Sequence, residues 1–465
     1  ILQLVLLGSI IFEAQARNFD EYHKSDKVSD YFSGIITLNN NEYINSYKFL
    51  KNLEGLEEKH SNFSELYLFY LINLEKFNLA YKYSKKLEKK KLDSFESNLI
   101  VSIYYLKNKN SKKAKEYLKK IIQQKKKLPF QELLSLSIYN LFDLENNSLD
   151  QVKKNLNQIN QRYNNIKKIQ NVFIHCYFDH KLTENLFLDL INDNTINFSR
   201  YNYFYINYLK KKNKKENAME ALNKALINNP RNLILNQYKE NFKDVKMASN
   251  IFDCKNISDI TAEIFYISSN ALSQQSEYLI SNFYLNLAKY LNTNFISFET
   301  LYAENLFMIN NLEESLKIYK KIKKKGSVYN WYSSKQIAKI YLDLDKEKTA
   351  LDFLENTFKE IMDPSVYVVF DYAEFLKNNK RFEEAIQYYS QALKLIDKKH
   401  FLYPEITDGR GIAFERSGNW DRAEKDLLDS LSVVPDQAYV INYLAYTWIE
   451  KGQNIEKSLK MLRQA

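Results

Sequence analysis

Few residues of this sequence are spaced as a catalytic or metal site requires. His175, Cys176 and His180 lie in the run HCYFDH, and imidazole and thiolate groups are common zinc ligands. On a helix, a separation of five residues puts the two histidines on different faces, and the other three histidines are scattered. The sequence therefore predicts no metal site. We expect Cys176 to pack between helices as a small apolar side chain.

Two other segments begin like ligand-binding loops and then depart from them. Gly409-Arg410-Gly411 opens like a dinucleotide-binding loop, but residue 414 is phenylalanine and no strand precedes the segment. Asp343 and Asp345 begin like a calcium loop, whose sixth residue must be glycine, and Lys348 stands there. The H-E-x-x-H, G-x-S-x-G, Walker lysine and C-x-x-C motifs are absent. The sequence thus predicts no catalytic residue and no cofactor, and the protein is not expected to be an enzyme.

The amino-acid composition indicates that the residues considered above lie on helices. The 465 residues include eight glycines and five prolines, and this scarcity of turn formers excludes β-sandwiches, barrels and α/β nucleotide-binding domains. The chain exceeds the size at which one compact core keeps growing, so we expect several domains or a solenoid. Two cysteines, Cys176 and Cys254, are too few for a disulfide framework.

A repeated unit organises the chain, and its clearest copy begins at Pro404. The marker residues at positions 8, 11, 15, 20, 24 and 32 of this copy are Gly411, Phe414, Gly418, Ala423, Leu427 and Pro435. Small residues at positions 8 and 20 let two helices approach closely, and glycine at position 15 ends the first helix in a left-handed cap. This pattern resembles the tetratricopeptide repeat. The resemblance implies an all-α superhelical solenoid of antiparallel helix pairs.

The same register divides the chain into segments. Residues 17–134 are expected to form N-terminal repeats, and residues 135–275 degenerate helical pairs with one clear unit near 199–232. Residues 276–465 are expected to form C-terminal repeats, the last of them truncated. Repeats are therefore predicted over almost the whole chain after the leader.

The leader is the apolar stretch ILQLVLLGSIIFEAQA at residues 1–16. Ala14-Gln15-Ala16 has the small-x-small pattern of a signal peptidase site, which predicts a signal peptide removed after Ala16 and a periplasmic protein. Association with the outer membrane stays open. Two alternatives are a buried first helix and an uncleaved anchor, although the twelve apolar residues fall short of the roughly 20 that a spanning helix needs.

The stretch from Gly409 to Ala465 is similar to one group in particular, the exported tetratricopeptide proteins of alphaproteobacteria. The run Pro435-Asp436-Gln437 followed by Asn442-Tyr443-Leu444-Ala445-Tyr446-Thr447-Trp448 carries this resemblance, together with Tyr31-Phe32-Ser33-Gly34 after the leader. The resemblance implies an envelope solenoid and assigns no catalytic residue.

In tetratricopeptide proteins the first helix of each unit lines a concave groove, with positions 2, 5, 9, 12 and 13 pointing into it. The groove candidates that this resemblance implies are Tyr332, Lys335, Lys339, Tyr367, Phe370, Glu374, Glu405, Asp408, Asn442 and Tyr446. Aromatic groups beside carboxylates suit a peptide or a partner helix. We therefore predict a protein-binding scaffold of the bacterial envelope. The alternative for these residues is that some merely cover the neighbouring unit.

Lysine clusters leave two further functions open. They lie at Lys85, Lys86, Lys89 to Lys91, Lys125 to Lys127, Lys210 to Lys215 and Lys320 to Lys325, in a chain of net charge +10. Such ridges could bind anionic lipid or an envelope polymer. RNA binding is the weaker alternative, because only nine of the 67 basic residues are arginine, the usual residue for phosphate recognition. Nucleic acid is disfavoured as a partner, and the sequence names no protein partner.

Overall fold

The computed structural model of the protein describes residues 25–39, 42–53, 55–124, 128–193, 197–242 and 251–464. These residues form 25 α-helices and no strand. Consecutive helices pack as antiparallel pairs joined by short turns, which confirms the predicted all-α fold of tetratricopeptide-type helix pairs. The predicted leader, residues 1–16, lies outside the described residues.

The helices are numbered in chain order. The first thirteen are α1 (Ser25–Asn39), α2 (Tyr43–Leu50), α3 (Ser61–Asn73), α4 (Phe77–Lys89), α5 (Phe95–Lys107), α6 (Ser111–Gln123), α7 (Pro129–Phe142), α8 (Leu149–Leu156), α9 (Asn164–Tyr177), α10 (Thr183–Ile191), α11 (Arg200–Lys211), α12 (Lys215–Asn228) and α13 (Leu233–Glu240). The remaining twelve are α14 (Ile257–Gln274), α15 (Tyr278–Leu291), α16 (Ile296–Met308), α17 (Leu312–Ile322), α18 (Ser327–Asp343), α19 (Glu347–Lys359), α20 (Val366–Asn378), α21 (Phe382–Lys394), α22 (Tyr403–Arg416), α23 (Trp420–Val433), α24 (Ala438–Glu450) and α25 (Ile455–Gln464).

Close approach at positions 8 and 20 holds each helix pair together. The Ser281 hydroxyl donates to the backbone carbonyl of Ser269 at 2.8 Å, and the Ser315 hydroxyl donates to that of Ala303 at 2.9 Å. Both pairs of residues are twelve apart, as positions 8 and 20 are. In the pair α22–α23, a Cβ on Gly411 would lie 3.2 Å from the carbonyl oxygen of Ala423. A small residue at these positions is therefore a steric requirement of the hairpin.

The turn inside each of the last five pairs uses a left-handed residue at position 15. Gly418 and Gly452 have φ angles of 81° and 66°, as the sequence predicts. Asn310, Asp345 and Lys380 take the same conformation, with φ between 56° and 61°. Side chains other than glycine tolerate this region at a cost of about 1 kcal/mol. Glycine therefore marks only some of the turns that the chain makes.

The helices group into two compact units. The first runs to residue 229 and includes residues 238–318, and the second contains residues 230–237 and the chain from residue 319 onward. A bidentate ion pair lies inside the first unit, where Arg200 Nε and Nη2 donate to the two Glu263 carboxylate oxygens at 2.8 Å. The Arg200 guanidinium also lies 3.9 Å from the Tyr266 ring centroid. Burial alone would lower the pKa of Arg200, but the Glu263 carboxylate raises it above its usual range.

The concave face of the N-terminal repeats is covered by the chain itself. Phe69 and Asn73 occupy positions 9 and 13 of the unit in which Ala80 is at position 20. The Phe69 ring stacks on Phe283 of α15 with centroids 5.8 Å apart, and Asn286 Nδ2 donates to Asn73 Oδ1 at 3.2 Å. Helix α14 packs on α7 in the same way. The pair α14–α15 therefore packs against the first helices α3, α5 and α7.

Cys176 and Cys254 form a disulfide within the first unit, so the expectation that Cys176 packs as a free apolar side chain is wrong. Their Cα atoms are 6.0 Å apart although 78 residues separate them in sequence. This distance lies in the range that a disulfide requires. The fold brings the two cysteines together, and no local pattern in the sequence indicates this pairing.

The two histidines beside Cys176 also lie closer than predicted. Helix α9 ends at Tyr177, and Asp179 takes a left-handed φ of 52°. The chain then folds back, so the ring centroids of His175 and His180 lie 5.1 Å apart rather than on different faces of one helix. Within the described residues, no group of three or more His, Cys, Asp or Glu side chains could hold a metal ion.

Candidate functional site

The groove candidates all lie on the first helices of the pairs in the second unit. Helices α18, α20, α22 and α24 carry them, and each of these helices is followed by its pairing partner. The structure separates the candidates into two groups. In the first group, on α18 and the start of α20, Tyr367 and Phe370 contact a distant segment of the same chain. The second group, from the end of α20 to α24, presents side chains to solvent.

The first group surrounds the side chain of Arg231. Arg231 Nη1 donates to Asp371 Oδ1 at 3.3 Å, and its guanidinium lies 5.5 Å from the Phe370 ring centroid and 5.8 Å from that of Tyr367. Lys335 Nζ donates to the other Asp371 oxygen at 2.5 Å. Burial raises the pKa of Tyr367, and the nearby Arg231 charge opposes the rise. The candidates Lys335, Tyr367 and Phe370 are thus brought together around one carboxylate.

The indole of Trp331 completes this cluster. Trp331 Nε1 donates to Asp371 Oδ2 at 3.2 Å, and the indole is buried. The Asp371 side chain is only 15% exposed, and its carboxylate accepts hydrogen bonds from Arg231, Lys335 and Trp331. A buried carboxylate needs such partners, because a charge removed from water without them is strongly destabilising.

The segment that carries Arg231 is held at its other end by Gln237. Gln237 Oε1 accepts a hydrogen bond from the backbone N–H of Val328 at 3.1 Å. Gly326 makes room for this contact, since a Cβ there would lie 2.2 Å from the same oxygen. Residues 230–237 are therefore anchored at both ends within the second unit.

Tyr332 and Lys339 stand apart from this cluster. Tyr332 is half-buried, and its ring centroid lies 6.0 Å from that of Tyr319. It covers the neighbouring helix, as the alternative for these candidates supposes. Lys339 is exposed on the same helix.

The second group contains the carboxylates Glu374, Glu405 and Asp408. Glu374 accepts from Lys377 Nζ at 2.8 Å and from the Tyr389 hydroxyl. Asp408 is half-buried and accepts no hydrogen bond from any other group in the described part of the chain. Burial raises the pKa of Asp408 to about 7; Lys377 opposes this rise, and the negative charges of Glu374 and Glu405 add to it.

Helix α24 carries two exposed tyrosines, and the charges of these carboxylates act on one of them, Tyr439. Tyr439 is 63% exposed and Tyr446 60%, and Asn442 between them is half-buried. Burial raises the pKa of Tyr439, and the charges of Asp408 and Glu374 raise it further. The side chains of α20, α22 and α24 therefore share one surface, on which large aromatic rings border negative charge.

Three residues of these two groups were missed by the sequence analysis. Tyr439 occupies position 2 of its unit, so the register itself could have identified it. Asp371 lies at position 6, which is outside the usual groove positions. Arg231 lies 140 residues from Asp371 in sequence, and no spacing pattern connects them.

In two of the lysine clusters, several lysines pair with nearby carboxylates of the same chain. Lys90 Nζ lies 2.9 Å from Glu57, Lys212 Nζ lies 2.9 Å from Asp179, and Lys214 Nζ lies 2.6 Å from Glu184. Lys125 to Lys127 lie outside the described residues. The clusters that the structure describes are thus partly neutralised. None of the described helices combines the length and apolar character that crossing a membrane requires.

Comparisons with known proteins find likeness in structure alone. No family model matches the chain, and no curated protein matches it in sequence. Yeast Tom70 is similar with a TM-score of 0.34 and 15% identity, over 94% of this chain and 91% of that chain. The Cut9–Hcn1 hetero-tetramer of the APC/C gives a TM-score of 0.34 and 13% identity, over 94% and 86%. YrrB, a TPR protein with an unusual peptide-binding site, gives 0.28 and 13%, over 44% and 95%.

Proposed function

We propose that the protein is a non-catalytic scaffold that binds a peptide or a helix of another protein on the concave face of α20, α22 and α24. The observation that supports this proposal is the uncovered surface around Tyr439 and Tyr446. Exposed aromatic side chains supply binding energy at low entropy cost, and neighbouring charges fix the register of a ligand. Among the groove candidates, this surface combines exposed rings with Asp408, whose carboxylate accepts no hydrogen bond within the described residues.

The covered concave face of the first unit supports the same proposal. The α14–α15 pair there buries Phe69 and Asn73 against its own side chains. The partner surface therefore belongs to the second unit. There, residues 230–237 cover the part around Asp371.

We also propose that the protein works in the periplasm, as an envelope scaffold. The Cys176–Cys254 disulfide supports this location, because disulfides persist in oxidising compartments such as the bacterial periplasm. The small-x-small pattern before Arg17 supports it independently. Osmotic-shock fractionation, with free thiols blocked before lysis, tests both points. A cytoplasmic chain with two free thiols would contradict the proposal.

Photo-crosslinking in living cells tests the groove. A photo-reactive amino acid replaces Tyr446 in one variant and Lys425, which is exposed on the second helix α23, in a control variant. We expect the first variant alone to crosslink a discrete protein. The purified partner should then bind the chain, and the Tyr446→Ala variant should bind it at least tenfold more weakly. Equal crosslinking from both positions, or none from either, would contradict a binding groove here.

A further inference from the structure

The positive charge of the chain is concentrated in one segment of the first unit. Residues 76–124, which include α4, α5 and α6, contain fourteen lysines and four acidic residues, a net charge of +10. The whole chain also has a net charge of +10, so the rest of it has equal numbers of basic and acidic residues. The electrostatic attraction of the chain for an anionic partner is therefore local to this segment.

Helices α4 and α6 of this segment lie side by side. The Tyr117 hydroxyl of α6 donates to Glu88 Oε2 of α4 at 2.8 Å. Lys85 from α4 and Lys120 from α6 both form ion pairs with the same carboxylate. These contacts fasten the two helices together, and the lysines that point away from them form one continuous surface.

Four exposed lysines on this surface have no carboxylate partner among the described residues. Two lie on α4 and two on α6, and the two on each helix are seven residues apart, so they share one helix face. They are Lys82, Lys89, Lys112 and Lys119, and we call them the basic face. Leu79 is 42% exposed and lies about one turn before Lys82 on the same side of α4. The basic face thus combines uncompensated charge with an exposed apolar side chain.

The tyrosines near the basic face are already stacked on one another, which disfavours a nucleic-acid ligand. The Tyr81 and Tyr104 rings stack with their centroids 3.8 Å apart. The Tyr105 ring stacks on that of Tyr117 at 5.8 Å, and the Lys113 ammonium lies 5.4 Å from the Tyr105 centroid. Single-stranded nucleic acids are bound through open aromatic faces on which the bases stack.

We propose that the basic face docks the protein on the surface of a membrane that contains anionic phospholipid. Lysine is a compact point charge, which suits a layer of headgroups, whereas recognition of a fixed phosphate usually draws on the planar fork of arginine. Residues 76–124 contain no arginine. Each lysine near an anionic bilayer strengthens binding by about fivefold, and the exposed Leu79 side chain adds apolar contact. The basic face lies in the first unit, so membrane docking does not depend on the peptide-binding surface of the second.

Vesicle flotation with the full chain tests membrane docking. The probes are vesicles of phosphatidylglycerol and phosphatidylethanolamine in equal parts, and vesicles of phosphatidylcholine alone. We expect the chain to float with the anionic vesicles at low salt and to be released as salt rises, because screening weakens contacts between exposed charges. Phosphatidylcholine vesicles should not bind it. Replacing the four lysines of the basic face by glutamine should weaken binding to the anionic vesicles by at least about fiftyfold.

A matched control removes the same charge from another lysine cluster, in the second unit. Its four exposed lysines are replaced by glutamine at Lys320, Lys321, Lys324 and Lys325. Glutamine forms helix about as well as lysine, so both variants are expected to fold. The control variant should bind the anionic vesicles nearly as tightly as the wild type. Equal losses in the two variants would mean that net charge alone attracts the chain, and would overturn the proposal.

Polyphosphate separates a bilayer from a soluble polyanion. Leu79→Ser should weaken the binding of anionic vesicles severalfold and leave the binding of polyphosphate unchanged. The same effect on both ligands would overturn the bilayer as the partner. So would tighter binding of polyphosphate, or of single-stranded RNA, than of vesicles at equal phosphate concentration. A wild-type chain that does not float with the anionic vesicles at low salt would refute membrane docking outright.

Discussion

Removing the Cys176–Cys254 disulfide is expected to destabilise the first unit by about 4.5 kcal/mol. The bond closes a loop of 78 residues, and the chain-entropy relation for a loop of that length gives about 15 cal/mol/K, or about 4.5 kcal/mol at 25 °C. The perturbation is the double variant Cys176→Ser with Cys254→Ser. Cys176 is buried, so its replacement also tests how far packing adds to the loss.

Native-state hydrogen exchange offers an internal reference for this experiment. Amides of α9 and α11 lie in the first unit, and amides of α20 and α22 lie in the second, which contains neither cysteine. A loss of about 4.5 kcal/mol corresponds to exchange roughly 2,000-fold faster at the most protected amides of the first unit. Exchange in the second unit should stay unchanged.

Two results would refute this reasoning. Equally faster hydrogen exchange in both units would mean that the disulfide stabilises more of the protein than the loop it closes. A reduced wild-type chain that exchanges like the oxidised chain would mean that the loop is already ordered without the bond. Reduced wild type and the double variant should instead both exchange faster than the oxidised chain, and should differ from each other only by the packing loss at Cys176.

Three further predictions concern single contacts. Asp408 has a pKa of about 7 in the folded chain against about 3.8 in the unfolded chain, so stability falls as pH rises from about 4 to 7. Asp408→Asn should remove this fall and raise the free energy of unfolding at pH 8 by up to about 4 kcal/mol. Near pH 4 the variant and the wild type should have equal melting temperatures. Arg200→Met leaves Glu263 buried without its partner and should cost about 3–5 kcal/mol in urea unfolding, most of it recovered by adding Glu263→Leu. Lys380→Gly relieves a φ of 61° and should stabilise by about 1 kcal/mol, whereas Gln387→Gly within α21 should destabilise by a similar amount.

The sequence predicted the helix pairs because the residue pattern that specifies each pair is local in sequence. Small residues twelve apart and a turn at position 15 repeat along the chain, so a register found at Gly411 and Gly418 extends to pairs without glycine. The same register placed Asp408 and Tyr446 on concave helix faces. It could not separate covered from open parts of that face. That distinction depends on which distant segment folds against it.

Contacts between distant segments explain what the sequence did not predict. Arg231 and Asp371 are 140 residues apart, and neither position is unusual within its own unit. Cys176 and Cys254 meet because the pairs between them turn the chain back. His180 approaches His175 because α9 ends at Tyr177 and the chain turns back through Asp179, whose φ is left-handed.

In the first unit, the early helices are synthesised well before the helices that cover them. Phe69 and Asn73 leave the ribosome more than 200 residues ahead of Phe283 and Asn286, which contact them in the folded chain. At translation rates of about 5–20 residues per second, the early helices wait roughly 10–40 s with an apolar face uncovered. An ordinary repeat array matures pair by pair as it emerges. Here the early pairs complete these contacts only when α15 has been made.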